Sequence, residues 1–444
     1  MERKKALLIF QAPTQKRFHL NRMPPLGILS ISSFLTSKSI ANMVIDYNIA
    51  RPSGLNIEDF QVVMFSVNVS NVTNSLLQAR YIKKEFPKKR ILFGGPYCSS
   101  DPYFFIQQGY IDAVAIGEGE EAAYEYIINE DPLKVKGLYL KGRGEQVIFT
   151  GKREYIENLD LLPYPAFDKV DIRKYNHFPS KAKPISSIVT SRGCVFRCAF
   201  CFHPLGHKWR ARSPDNVVKE IEKQINELRI KELCIYDDNF SFDEKRAEEI
   251  CNLMLERNIR INIQFPNGIH IKKIKTQLLK KLREIGTHYI GIAPETGNKN
   301  TMQRIKKDFE EEQIKQIVNE CKELKLKTLG FFMLGFPWEG PAEIKKTIEF
   351  AKRIDTDLVQ FTRLIPYKKT HLYNWMTTSN ILPDERYEEE KNPFCGGSEE
   401  MRRIMKMAYR NFYFRIGKIL NLLKNFSPKD LFYLIKYGIF TKNF

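Results

Sequence analysis

Twice along this chain, short apolar runs alternate with longer helical ones, and this alternation limits the fold more than any other feature. In the first series ALLIFQAP, NMVIDYN, VVMFSVNVS, ILFGGP and AVAIGEGE read as strands. PLGILSISSFLTS, NSLLQARYIKKEF, DPYFFIQQGY and EAAYEYIIN read as the helices between them. Strands that are apolar throughout and separated by helices belong to parallel βαβ units covered on both faces. The series predicts an α/β, doubly wound, Rossmann-like domain over residues 1–133. Residues 134–184 break the rhythm: KGLYLKGRGEQVIFTG predicts a hairpin, and ENLDLLPYPAFD a proline-punctuated linker. The second series has strands SSIVTS, LCIYDD, INIQFPN, YIGIAPE, TLGFFMLGFP and LVQFTRLIP, with five helical segments between them. It predicts a partial (β/α)6 TIM-like barrel over 185–380, followed by a helical C-terminal region over 381–444.

Composition sets the class. Apolar residues make up 43% of the 444, enough for large cores. No run approaches the roughly 18 apolar residues of a spanning helix, and the N-terminal apolar run is too short for a signal peptide. A cytoplasmic protein is expected. The net charge is +19, and residues 401–444 hold ten Lys or Arg against one acid, Asp430. That concentration predicts a local basic surface. EEMRRIMKMAYRNFYFRIGKILNLLKNF carries apolar residues at helical spacing, and SPKDLFYLIKYGIF follows with Ser427 as a cap. Such a segment can pack on the barrel, lie at a membrane interface, or bind nucleic acid. Packing on the barrel is the first expectation, peripheral contact with the inner membrane face through this region is the second, and nucleic acid is disfavoured.

Five of the eight cysteines (Cys98, Cys234, Cys251, Cys321, Cys395) are scattered and read as small buried hydrophobes. Cys194, Cys198 and Cys201 instead form C-x3-C-x2-C directly after the first strand of the second series. Barrel chemistry sits at that end of the strands. Three thiolates suit a soft metal. Zinc would need a fourth ligand, which His203 or His207 could supply in a non-catalytic binding protein. A 4Fe-4S cluster held by three cysteines keeps one iron open to a chelating ligand.

SRGCVFRCAFCFHP (Ser191 to Pro204), with Phe200 before the last cysteine, resembles the radical S-adenosylmethionine superfamily. The resemblance implies that the open iron binds S-adenosylmethionine and reductively cleaves it to a 5′-deoxyadenosyl radical. Other segments agree. Tyr236-Asp237-Asp238-Asn239-Phe240 ends the second strand, and Asp238 is the expected contact. Glu295, in Gly291 to Gly297, is similar in place to the glutamate that helps hold S-adenosylmethionine. Gly335, in GFFMLGFP, falls in the segment that packs against the adenine. Lys368-Lys369-Thr370 departs from the common Pro-Gly-Thr and changes the substrate-side loop. Arg210 and Arg212 could hold an anion or lie in solvent.

The first domain resembles the cobalamin-binding domain of the cobalamin-dependent (class B-type) radical enzymes. Leu26 and Gly27, Ser66 and Asn68, Gly94-Gly95-Pro96 and Gly117-Glu118-Gly119 are the implied cobalamin contacts, and the linker Leu162 to Asp168 is also typical. Asp-x-His-x-x-Gly is absent after the first strand (Gln11-Ala12-Pro13-Thr14), although His19 lies in that loop. The resemblance implies methylation of an unactivated carbon of a small-molecule or lipid-like substrate, with a flavodoxin- or ferredoxin-type electron donor. A cyclase or oxidoreductase, as in the anaerobic porphyrin-ester cyclases, is the alternative. An RNA methylthiotransferase would carry a second cysteine triplet in the first domain, where only Cys98 occurs.

Overall fold

The computed structural model describes residues 4–14, 21–52, 54–144, 146–307, 309–381 and 399–435. His19 and Cys395 lie outside the described residues. The first sheet has seven strands in the order β2-β1-β3-β4-β5-β6-β7. They are β1 (Lys5–Phe10), β2 (Ala41–Asp46), β3 (Val62–Ser66), β4 (Arg90–Gly94), β5 (Ala113–Ala115), β6 (Leu138–Lys141) and β7 (Val147–Phe149). β1 to β5 pair in parallel. β6 and β7 extend the sheet as the expected antiparallel hairpin. The helices are α1 (Leu26–Ser37), α2 (Val72–Glu85), the short α3 (Pro96–Ser100) and α4 (Pro102–Ile106), and α5 (Glu120–Ile128). β1 lies between β2 and β3, so the winding reverses there. A doubly wound sheet opens its ligand crevice beyond the strand ends at such a reversal. Phe65, Phe93 and Phe105 fill the core beneath, with ring centroids 4.9 and 5.8 Å apart in sequence.

The second sheet has six strands in the order β15-β14-β13-β12-β11-β8. They are β8 (Ile185–Ile188), β11 (Glu232–Ile235), β12 (Asn262–Phe265), β13 (Thr287–Glu295), β14 (Lys327–Leu334) and β15 (Leu358–Arg363). Strands in chain order joined by helices describe the wall of a barrel that stops short of eight. The helices are α6 (Pro214–Leu228), α7 (Glu244–Glu256), α8 (Thr276–Glu284), α9 (Lys299–Arg304), α10 (Glu311–Glu323), α11 (Pro341–Ile354) and α12 (His371–Thr378). α6 shows how the sequence sets an element. Ser213 accepts the Asn216 N–H as N-cap, Pro214 takes N1, and Arg229 ends the helix in the left-handed region. Val217, Val218 and Ile221 form its buried stripe. A two-residue antiparallel pair, β9 (Ser191–Arg192) with β10 (Arg210–Ala211), brackets the cysteine loop.

By contact density the chain divides into Met1–Cys194 with His203–Lys231, and Val195–Phe202 with Glu232–Phe444. In the second unit the C-terminal region forms α13 (Glu399–Tyr413), α14 (Ile416–Asn425) and α15 (Pro428–Tyr433, capped by Ser427). The first two replace the single run read from the sequence. α13 serves the outer strand of the sheet, β15. The Tyr413 hydroxyl accepts the Val359 N–H at 3.0 Å and donates to its carbonyl at 3.3 Å. Tyr409 does the same to Phe361, at 3.1 Å each way. Two side chains thus satisfy an edge that backbone would otherwise pair. Tyr413→Phe should cost about 1–3 kcal/mol, because both Val359 groups lose a buried partner. A lowered urea midpoint at unchanged slope is the readout.

Candidate functional site

The first unit holds a cavity of about 300 Å³ at the C-terminal ends of its parallel strands. Leu26 and Gly27 of α1, Ser66 at the end of β3, Gly94, Gly95 and Pro96 after β4, and Gly117, Glu118 and Gly119 after β5 all line it. These are the residues expected to meet cobalamin, apart from Asn68. Asn68 is not in the wall, and its side-chain oxygen accepts the N–H groups of Ser70 and Asn71 to close the turn into α2. Gly95 has φ +103°, and a Cβ there would meet the Val67 carbonyl oxygen at 2.7 Å and its nitrogen at 2.8 Å. Only glycine fits, so the chain turns tightly at the rim and leaves its backbone facing the cavity.

Glu118 is more than a wall residue. Arg192 and Arg210 sit directly opposite each other in the β9–β10 pair. Like charges so placed repel. The Glu118 carboxylate lies between them, with Oε1 2.8 Å from Arg192 Nη1 and 2.9 Å from Arg210 Nη1. It also accepts the Ile156 N–H at 2.7 Å. Arg192 reaches Glu120 at 2.6 Å as well. All four side chains are largely buried. Burial works against the charge on Arg192, but the Glu120 and Glu118 carboxylates outweigh it and raise its pKa. Burial works against the charge on Glu120 too, and Arg192 holds its pKa below the ordinary value. Arg212 is likewise buried and paired with Glu220. Neither Arg210 nor Arg212 is a solvated loop charge, and both are engaged inside the protein. The β9–β10 pair that brackets the cysteine loop is thereby tied to Glu118 in the wall of the cavity. Within the loop Cys194 donates its N–H to the Gly206 carbonyl at 3.3 Å, and the His207 ring stands 3.3 Å from the Cys194 carbonyl.

Cys198 and Cys201 belong to the second unit. The Cys201 N–H donates to the Cys198 carbonyl at 3.1 Å, and Ala199 donates to the Ile305 carbonyl at 3.0 Å. Phe200 packs edge-on to Phe336, 6.3 Å between ring centroids. Glu295 ends β13 with a left-handed backbone, φ +68°. Its carboxylate takes Lys307 Nζ at 3.1 Å, and the same ammonium donates to the Ala293 carbonyl at 2.9 Å. Burial opposes the charge on Lys307, but Glu295, Cys198 and Cys201 together raise its pKa. Burial lifts the Cys198 thiol above its ordinary value, with Lys307 pulling against the rise and Glu295 adding to it. Gly335 follows β14 directly. Asp238 is exposed, and its neighbour Asp237 is the buried acid of that turn.

The three thiols are free of disulfides. Among the described residues no group of three or more His, Cys, Asp or Glu side chains stands close enough to hold a metal ion. The donor set itself suits a cluster: three soft ligands in one loop, with a lysine ammonium nearby to offset thiolate charge. Lys307 and Arg192 were not singled out from the sequence. Lys307 sits in the unremarkable run Arg304 to Lys307, and its role follows from a short helix, α9, that the pattern did not mark. Arg192 had one signal, its place two residues before Cys194.

Residues 188–351 match the family model of the radical SAM superfamily. Among curated proteins, an uncharacterized methyltransferase, PH0819, of Pyrococcus horikoshii is 29% identical over 92% of this chain and 92% of its own length. The anaerobic magnesium-protoporphyrin IX monomethyl ester cyclase of Cereibacter sphaeroides is 25% identical over 60% of this chain but only 44% of its own length. Among solved structures, the radical S-adenosylmethionine methyltransferase TsrM of Kitasatospora setae, with cobalamin and a [4Fe-4S] cluster bound, is 14% identical. It covers 85% of this chain and 75% of its own, at a TM-score of 0.67. TsrM with tryptophan and a SAM analog bound is 15% identical, covering 96% and 90%, at a TM-score of 0.69. The cysteine triplet lies inside the span that matches the radical SAM superfamily, and the chain as a whole has the fold seen in TsrM.

Proposed function

We propose that the protein is a cobalamin-dependent radical S-adenosylmethionine enzyme that methylates an unactivated carbon of a small-molecule or lipid-like substrate. The observation that carries this reading is the triplet Cys194, Cys198 and Cys201, none of them in a disulfide, placed directly after the first strand of a partial barrel. When bound, the cluster and S-adenosylmethionine supply one-electron chemistry, and a corrinoid supplies a methyl group. The three cysteines would hold the cluster, and Lys307 would offset part of its negative charge. Glu295, Phe200, Gly335 and Asp238 would line the S-adenosylmethionine position. The glycine rim of the cavity would let backbone approach a broad, flat corrinoid, and its apolar wall would exclude water from it. The clamp on Glu118 would fix the β9–β10 pair from which the cysteine loop springs. A flavodoxin- or ferredoxin-type protein would supply the electron.

The test is cofactor content followed by product analysis. Protein purified without oxygen from cobalamin-fed cells is expected to carry about four iron atoms with acid-labile sulfide, and one corrinoid. With S-adenosylmethionine and a reductant it should form both 5′-deoxyadenosine and S-adenosylhomocysteine. Deoxyadenosine without S-adenosylhomocysteine would favour the cyclase or oxidoreductase reading. Zinc without sulfide would overturn the enzyme reading.

A further inference from the structure

Helix α14 is built inside out. Its Lys418 is 4% exposed, and the ammonium meets the Thr356 carbonyl and the Asp355 carboxylate, each at 2.8 Å. Apart from Leu422, which is buried, its apolar residues face away from the protein: Ile416 is 81% exposed, Leu420 and Leu423 61% each, and Ile419 41%. These four stand at i, i+3, i+4 and i+7, which is a single stripe on a helix. Phe414 before the helix, and Phe432 and Ile435 at α15, are also exposed and add to the apolar surface. The orientation is fixed by chemistry beyond the helix. Arg415 donates to the Lys352 carbonyl at 3.0 Å and to Asp355 at 2.8 Å, so Arg415 and Lys418 together lock the polar side inward. A stripe of this kind on a monomer's surface marks an interaction site.

The charge identifies the occupant. Residues 401–444 carry ten Lys or Arg and one acid, and two of the ten, Arg415 and Lys418, are turned inward onto Asp355. Lys424, one turn after Leu420, is exposed, as are Arg402, Arg403, Lys406 and Arg410 of α13. A second copy of the chain would set this positive surface against itself. We propose that the outward face of α14 and α15 docks on a bilayer bearing anionic lipid headgroups. The apolar stripe enters the headgroup boundary and the surrounding cations meet lipid phosphates. No described helix is long and apolar enough to cross a membrane, so the contact is peripheral. The inference does not depend on the cofactor chemistry.

Vesicle flotation of the full chain, purified anaerobically, tests it. At low salt the protein should float with vesicles of phosphatidylcholine and phosphatidylglycerol in equal parts. It should stay down with phosphatidylcholine alone, a difference of about tenfold or more in bound fraction. Leu420→Glu with Leu423→Glu should abolish flotation while leaving thermal unfolding unchanged, because both side chains are already exposed. Equal binding to both vesicle types, no binding to either, or unchanged flotation of the double variant would each overturn the proposal. So would light scattering that showed a dimer lost in the double variant, with the parent protein unable to bind vesicles.

Discussion

Glu118→Leu is expected to destabilise the protein by about 3–5 kcal/mol, because it leaves buried charge without its partner. Arg210 would lose both contacts to the carboxylate, at 2.9 and 3.0 Å, and Arg192 would keep only Glu120. The two guanidiniums would still face each other across β9 and β10. The urea midpoint should fall at unchanged slope. Adding Arg210→Met to the same chain should recover a good part of the loss, since an apolar replacement removes the stranded charge. If the double variant were no better than the single one, the clamp would not rest on charge. The pH dependence has a definite sign. Glu120 has a folded-state pKa below its ordinary 4.5. The stability it contributes is therefore present above that value and is lost as pH falls through the folded pKa. Removing Arg192 as well should flatten that acid limb.

Gly193→Ala is expected to leave a folded chain that cannot retain its iron. Gly193 precedes Cys194 at φ +83°, and an added Cβ would collide with the Lys208 carbonyl oxygen and stand 3.2 Å from that of Gly206. The dihedral alone costs about 1–2 kcal/mol. The collision is with backbone, so no side-chain rotation relieves it. The loop must shift, and Cys194 is bonded to the same stretch through Gly206. Iron and sulfide per chain should drop several-fold, with little change in far-UV circular dichroism. Gly109→Ala is the control, because nothing lies within 4 Å of its added Cβ. Iron retained at the parental level in Gly193→Ala would show that the loop tolerates the shift.

The regular elements were readable because parallel strands buried on both faces are written as unbroken apolar runs. β1 and β3 are examples, and each is legible in the sequence alone. The two-residue β9 and β10 were not, since no pattern of two residues differs from a loop. The glycine clusters at the strand ends could be read, but each alone is equally an ordinary βα turn, and only the cavity gathers them. The partners of Glu118 could not be read, because Arg192 and Arg210 lie 74 and 92 residues further along the chain. The same distance effect hid the orientation of α14. Its periodicity was plain, and the default is apolar side inward. Asp355, 60 residues before Arg415, reverses that choice.

The tyrosine pair on β15 gives the C-terminal helices a second duty. An uncovered outer strand is a template on which another chain can grow. A chain ending before residue 399 would keep its barrel wall but offer Val359 and Phe361 to strangers. Its failure would appear as turbidity and fibrous precipitate rather than as a broken fold. The inner face of this segment is therefore constrained by colloidal survival, and the outer face by the surface the protein meets.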